Sequence, residues 1–308
     1  MNQVRVILSV DWEGRELNDQ NLEAIKGFRD QFPEAKTLHF LNAAYFTKAN
    51  VNTELVQKKI TSVLRKGDEH GLHIHGWRTL FEKSGVSYKS GPSWVQAKSI
   101  PLAKMNQQYE DGVDFGHDVP ISAYSVEELR SVVRCSLDIF KRYDFRRPKS
   151  FRAGGWMATE DVLKAVQLEG FLFDSSAVPP FLLKDKRKSP ILHDWLDQIW
   201  PEITETTQPY VILEEGSDES SQPLWEIPDN GCLADYMTGD EIFWAFKRNW
   251  ETFKDKKCKD DTINLSIGYH QETASRYIER VADGLKKIQR FCQREKIEWK
   301  IEPLPTGG

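Results

Sequence analysis

Seven short runs of β-branched, aromatic and aliphatic residues alternate along this chain with longer stretches whose apolar residues recur at helical spacing. That alternation is the signature of a parallel sheet with crossover helices. The runs predict strands at Val4–Glu13, Thr37–Phe46, Gly71–Trp77, Ser150–Trp156, Phe171–Ser176, Leu224–Pro228 and Ile263–His270, and seven is a barrel-like count. Helical periodicity falls near Asn21–Gln31, Thr53–Lys66, Ser125–Tyr143, Glu160–Leu168, Asp240–Phe253 and Ala274–Lys296. Ser125 and Glu128 have the spacing of a capping box, and Gly170 suits a helix stop.

Two stretches are too long for ordinary loops after strands: Arg78 to Tyr124, and Ala177 to Pro223 with its basic run Lys184–Lys188 and acidic run Glu214–Glu219. In a parallel barrel the loops after strands build the active-site face, so both insertions are expected to border the site. The 308 residues, 39% of them hydrophobic, can supply one large core, and a single domain is expected. A formal charge of −5 with mixed signs argues against a nucleic-acid groove. Cys135, Cys232, Cys258 and Cys292 stand too far apart for a C-x-x-C pair and read as reduced thiols. The apolar run Val4–Val10 is too short to span a membrane or to form a signal-peptide core. A cytoplasmic location follows as an expectation.

The chemistry gathers at the predicted strand ends. Asp11 and Glu13 stand two residues apart and so face the same side; two such acids repel unless a metal or a shared proton holds them. His73 and His75 share one face of a later strand, with Leu72 and Ile74 on the other, and three of the seven histidines fall between His70 and His75. Imidazole and carboxylate together suit zinc or a similar divalent ion, and three protein ligands with an open position make a catalytic site. Arg152 interrupts an apolar, small-residue strand, and a buried arginine needs an acidic partner. Asp11 is a suitable one, since a fixed guanidinium keeps a carboxylate ionised for general-base work. Asp174 closes another apolar run, where it can orient a catalytic histidine or the arginine, or simply shape a turn. His270 ends the last long strand and is the candidate general acid.

In order, Ser9-Val10-Asp11-Trp12-Glu13, the segment from Gly67 through His75, Ser150-Phe151-Arg152-Ala153-Gly154-Gly155-Trp156, Gly170 through Ser176 and Gly268-Tyr269-His270-Gln271-Glu272 resemble the motifs of the polysaccharide deacetylase family with its NodB-homology domain. The resemblance implies an irregular (β/α)7 barrel with long insertions after strands, a divalent metal, most often zinc, and removal of acetyl groups from N-acetylated sugars. It implies Asp11 as the catalytic base, His73 as a metal ligand, Arg152 as the residue that orients the base and His270 as the catalytic acid. Two departures stand out. Trp12 replaces the family's second adjacent aspartate, and Trp77 stands four residues beyond His73 where the second histidine is usual. Strand period therefore makes Glu13 and His75 the substitute ligands, with His70 and His117 in reserve.

The expected reaction is metal-assisted amide hydrolysis on an N-acetylated saccharide, nucleotide sugar or lipid-linked glycan in surface-glycan synthesis. Trp77, Trp94, Trp156 and Tyr236 offer flat faces for sugar rings. Lys184–Lys188 offers a contact for a diphosphate or a peripheral contact with a membrane surface. The competing readings are a deacylase of a non-sugar amide, such as a cyclic imide, and a saccharide-binding protein without catalysis.

Overall fold

The computed structural model describes residues 3–94, 114, 116–183, 190–214, 222–256 and 262–304. Its strands are β1 (Gln3–Asp11), β2 (Thr37–Leu41), β3 (Glu69–Ile74), β4 (Ser150–Ala153), β5 (Phe173–Asp174), β6 (Tyr210–Leu213), β7 (Leu224–Glu226), β8 (Thr262–His270) and β9 (Trp299–Ile301). The seven strands expected from the sequence all form and run parallel, in the order β7-β5-β4-β3-β2-β1-β8, and β9 is an eighth parallel strand beyond those expected. β6 adds antiparallel to β7, and β9 pairs with the first half of β1, on Val4–Val6. β7 and β8 share no regular ladder. Residues 229–234 fill that seam, where Gly231 N donates to Ser266 O at 2.8 Å and Ala234 N to Gly268 O at 2.8 Å. The result is a curled sheet with helices outside it, an irregular (β/α)7 barrel.

The helices are α1 (Asp19–Gln31), α2 (Thr53–Thr61), α3 (Arg78–Lys83), α4 (Val126–Arg142), α5 (Glu160–Leu168), α6 (Pro190–Ile199), α7 (Gly239–Phe253) and α8 (Ala274–Glu295). The capping box of Ser125 and Glu128 forms at the start of α4, and Thr238 and Glu241 make a second at α7. Helices α3 and α6 and strand β6 lie inside the two insertions. The basic run Lys184–Lys188, the acidic run beyond Glu214 and Cys258 lie outside the described residues. Among the described residues no helix is long and apolar enough to cross a membrane.

Strand period decides which side chains reach the barrel interior. On β1, Val4, Val6, Leu8 and Val10 join the core beneath the helices, whereas Ile7 belongs to a separate cluster with Leu38, Phe40 and Ile227. Ser9 and Asp11 follow Ile7 on that inner face. The same alternation on β3 sends Leu72 and Ile74 outward and His73 inward; on β8 it sends Ile267 and Tyr269 outward and His270 inward. Because both faces of these strands are buried, they read as nearly continuous apolar runs with a few polar interruptions.

Several strands stop short of their predicted ends, and polar caps explain where. The Asn42 side chain accepts from Ala44 N at 3.0 Å and turns residues 43–46 into a 3-10 turn. After β4 the chain breaks into a turn at 154–156, with Gly155 at φ 62° and Trp156 at φ 58°. These breaks end the ladders and open a cavity above the barrel.

Candidate active site

The registers bring the predicted residues together. Asp11 pairs with His270 across β1 and β8, and His73 with Arg152 across β3 and β4. Glu13 lies just past β1, His75 just past β3, and with Asp11, His73 and His270 they line a cavity of about 320 Å³. Trp94, Trp156 and Tyr236 form its aromatic wall. Both insertions border it, one through Trp94 and His117 and the other through Leu183 and His193.

Glu13, His73 and His75 each offer one atom to a group whose members lie within 4.8 Å of one another. His73 Nδ1 donates to the Arg152 carbonyl at 2.8 Å and His75 Nδ1 to the His117 carbonyl at 2.7 Å. In the neutral rings these bonds leave Nε2 as the lone-pair nitrogen. Those nitrogens face the Glu13 carboxylate, His73 Nε2 3.3 Å from Oε1 and His75 Nε2 3.0 Å from Oε2. His75 Nε2 is buried and makes no aligned hydrogen bond despite that short distance. Three acceptors facing one another are stable only with a proton or a cation among them. Burial pushes the His75 imidazole down, but Glu13 outweighs it and the net direction is up. Burial likewise raises Glu13, but His75, His270 and His73 together hold it well below the usual carboxylate range. The donor set, one oxygen and two imidazole nitrogens, fits a divalent cation of the zinc type.

Local packing prepares this cluster. The His75 ring lies against Gly154, where a Cβ would stand 2.6 Å from its Nδ1, so only glycine leaves room for the ring. Gly14, at φ 79°, turns the chain directly after Glu13.

Arg152 is buried beneath. Its Nη1 donates to Asp11 Oδ1 at 2.9 Å, to Oδ2 at 3.2 Å and to Ser9 Oγ at 3.0 Å, while Nε and Nη2 donate to Ser175 O and Oγ, each at 2.8 Å. Asp229 Oδ1 stands 3.7 Å from Nη2. Burial lowers the arginine's proton affinity, yet the charges of Asp11 and Asp229 more than restore it. For Asp229, burial and then the neighbouring Asp11 outweigh Arg152 and push the carboxyl up to about 6.

His270 sits between two carboxylates. Its Nδ1 is 2.9 Å from Asp235 Oδ2 and its Nε2 is 3.5 Å from Glu13 Oε1. Burial alone would lower it, but Asp235 and Glu13 raise it to about 10. Thr273 Oγ1 donates to Asp235 Oδ1 at 2.7 Å and fixes the carboxylate.

Other expected residues are placed differently. Asp174 reaches neither His270 nor Arg152 by a hydrogen bond. Its oxygens accept from Ser176 Oγ at 2.9 Å and Ser176 N at 3.0 Å, and it faces Glu226 in a buried acid pair. Burial and then Asp174 raise Glu226 well above the usual range, so the pair shares a proton. The histidine is instead oriented by Asp235, which lies on an irregular segment with no strand period to announce it. Trp77 donates from Nε1 to the Glu13 carbonyl at 2.7 Å and supports the loop from behind. His70 packs against Phe145 away from the cavity, and burial and then His39 hold it near 4. His117 lines the cavity mouth, stacked on Trp77 with ring centroids 5.2 Å apart. Asp229, Glu226 and His193 were not singled out from the sequence: Glu226 lies inside the expected strand Leu224–Pro228 but was not read as a site residue, and Asp229 and His193 lie outside any expected strand or helix.

No protein-family model matches the sequence, and no curated relative does. Solved structures do. A candidate polysaccharide deacetylase from Mycobacterium smegmatis superposes with a TM-score of 0.54 over 98% of this chain and 87% of its own, at 13% identity. A family 4 carbohydrate esterase from Streptomyces lividans, in complex with acetate, covers 99% and 100% of the two chains with a TM-score of 0.43 and 11% identity. A family 4 acetyl xylan esterase from Clostridium thermocellum, in complex with a cobalt ion, covers 96% and 86% with a TM-score of 0.40 and 9% identity. At such identities the likeness is one of fold, and the first match carries it: the chain folds as a divergent barrel of the polysaccharide deacetylase type.

Proposed function

We propose that this protein is a metal-dependent amide hydrolase of the polysaccharide deacetylase family that removes an N-acetyl group from a sugar. The observation that carries this reading is the pair of lone-pair imidazole nitrogens turned onto the Glu13 carboxylate, both fixed by carbonyl acceptors behind them. Glu13, His73 and His75 would hold the ion. A bound divalent cation such as zinc supplies Lewis acidity toward an acetyl carbonyl and lowers the pKa of water.

The remaining steps belong to the chain's own groups. Asp11, oriented by Arg152, takes the proton of the attacking water. His270, protonated near neutral pH and backed by Asp235, gives a proton to the leaving amine nitrogen. Trp94, Trp156 and Tyr236 offer the apolar faces that sugar rings stack on. The set of acid, base and three potential ligands argues against a saccharide-binding protein that has lost its catalytic residues.

A nucleotide sugar or lipid-linked glycan in surface-glycan synthesis, acted on in the cytoplasm, remains the substrate setting we favour. Cys135, Cys232 and Cys292 are free thiols, in keeping with a reducing compartment. The test is acetate release from N-acetylated mono- and oligosaccharides, alongside cyclic imides, by protein loaded with zinc or cobalt, with metal content determined in parallel. Hydrolysis of imides alone would move the activity to the non-sugar class. Unchanged metal stoichiometry in both His73→Ala and His75→Ala would reject the ligand assignment.

A further inference from the structure

Glu272 stands two residues past His270 in the turn Gln271–Thr273 and lines the cavity. Its carboxylate reaches across to the loop after β1. Oε2 accepts from Glu13 N at 3.2 Å and Oε1 from Arg15 N at 3.3 Å. The buried Tyr45 hydroxyl donates to Oε1 as well and lies 3.3 Å from Gln271 Oε1. The backbone of Glu272 is itself anchored, because Asn21 Nδ2 donates to its carbonyl at 2.8 Å and Asn21 Oδ1 accepts from Ser275 N at 3.0 Å.

The Glu13 peptide is thus held from both sides. Glu272 takes its N–H, and Trp77 Nε1 donates to its carbonyl at 2.7 Å. With both backbone groups pinned, the direction of the Glu13 side chain toward His73 and His75 is set before any ion arrives. Donors alone converge on Glu272, two N–H groups and one O–H, so the site calls for a side chain with two acceptor oxygens and no donor.

We propose that Glu272 is a positioning residue for the cation site: it lashes the loop after β1 to the loop after β8 and so pre-orients Glu13 as a ligand. This rests on the metal reading above. The carboxylate acts through reach and acceptor count rather than through charge alone, and that separates two explanations of the same mutant. In Glu272→Gln an amide N–H would face one of the backbone donors. In Glu272→Asp the charge stays, but the shorter side chain cannot span Glu13, Arg15 and Tyr45 together.

The measurement is zinc affinity of the apo protein by titration calorimetry at fixed pH, with melting temperature recorded for each variant. Both variants are expected to bind zinc about 10–100-fold more weakly than the wild type, the usual cost of losing a group that orients a ligand, at nearly unchanged melting temperature. Tyr45→Phe, which leaves the carboxylate and both N–H contacts in place, is expected to lose several-fold and serves if the Glu272 variants do not fold. Wild-type affinity in Glu272→Asp, with loss only in Glu272→Gln, would show a field effect and overturn the positioning role. Wild-type affinity in both Glu272 variants, or in Tyr45→Phe when it is the variant that folds, would overturn it too. A wild-type protein that takes up no zinc or cobalt would instead bring down the metal reading itself.

Discussion

Among the described residues, the histidine–carboxylate clusters around Asp68 and around Glu13 are built to opposite ends. In the closed one, Asp68 accepts from Arg29 Nη2 at 2.7 Å, Thr37 N at 2.9 Å and Arg65 N at 2.7 Å, and His39 Nε2 lies 3.4 Å from its Oδ2. Trp12 Nε1 donates to His39 Nδ1 at 3.3 Å, so the ring is neutral with its proton toward Asp68. In the open one, Glu13 faces His73, His75 and His270 beside the cavity, and among the described residues no arginine is ion-paired with it. The contrast appears in the proton affinities. Burial is the largest influence on both His39 and His75 and lowers each. At His39 burial, with a lesser push from Arg29, outweighs Asp68 and the net direction is down, whereas at His75 Glu13 outweighs burial and the net direction is up. The acid beside His39 is thus saturated by Arg29 and backbone donors deep in the barrel, whereas the acid beside His75 faces the cavity.

The largest effect that would sharpen this comparison is catalytic. Asp11→Asn is expected to lower acetate release about 10²–10⁴-fold, the range for a general base, with metal content unchanged. An equal loss of metal would place Asp11 among the ligands instead.

Stability should separate the clusters next. Asp68→Ala strips the partner from a buried arginine and is expected to cost about 3–5 kcal/mol in denaturant unfolding. Glu13→Gln in the metal-free protein is expected to cost less than about 1 kcal/mol, because His75, which Glu13 lifts, can become neutral. Similar losses in both variants would break the distinction.

Proton linkage gives a third test on the metal-free protein. His39 and His70, the latter near 4, bind protons more weakly folded than unfolded. Their contribution is complete above the ordinary histidine pKa of about 6.5 and is lost as pH falls toward 4. His75 and His270, the latter near 10, bind protons more tightly when folded. Their contribution is complete below about 6.5 and is lost as pH rises above it, for His270 through about 10. Melting temperature should therefore fall on both sides of a maximum near neutrality. His39→Gln should flatten the acid limb and His270→Ala the alkaline one, each by roughly 2–4 °C. The last test concerns the Trp12–His39 bond: Trp12→Phe is expected to cost about 1 kcal/mol for the bond itself, plus a packing loss, with activity retained.

How much of this was legible in the sequence varied with the regularity of the backbone. Asp11, His73, Arg152 and His270 lie on long or well-patterned strands, where a period of two assigns each to the inner face. Glu13 and His75 lie one or two residues past a strand, yet the same period still placed them on the correct side. Asp174 carried the same signal, and of the roles left open for it the turn is the one found: Ser176 N and Oγ and the neighbouring Glu226 take its oxygens.

The sequence by itself determined seven of the parallel strands, six of the helices, the capping box of Ser125 and Glu128, and the face on which Asp11, His73, Arg152 and His270 lie. Those are consequences of local periodicity and hydrogen-bond chemistry, which neighbouring residues carry. Only the tertiary structure decided that Asp235 rather than Asp174 stands behind His270, that Trp77 and Glu272 hold the Glu13 loop, and that His39 is sealed while His75 is open. Each of those depends on irregular segments meeting across the barrel mouth, with 259 positions between Glu13 and Glu272, and no local pattern encodes which loop will meet which.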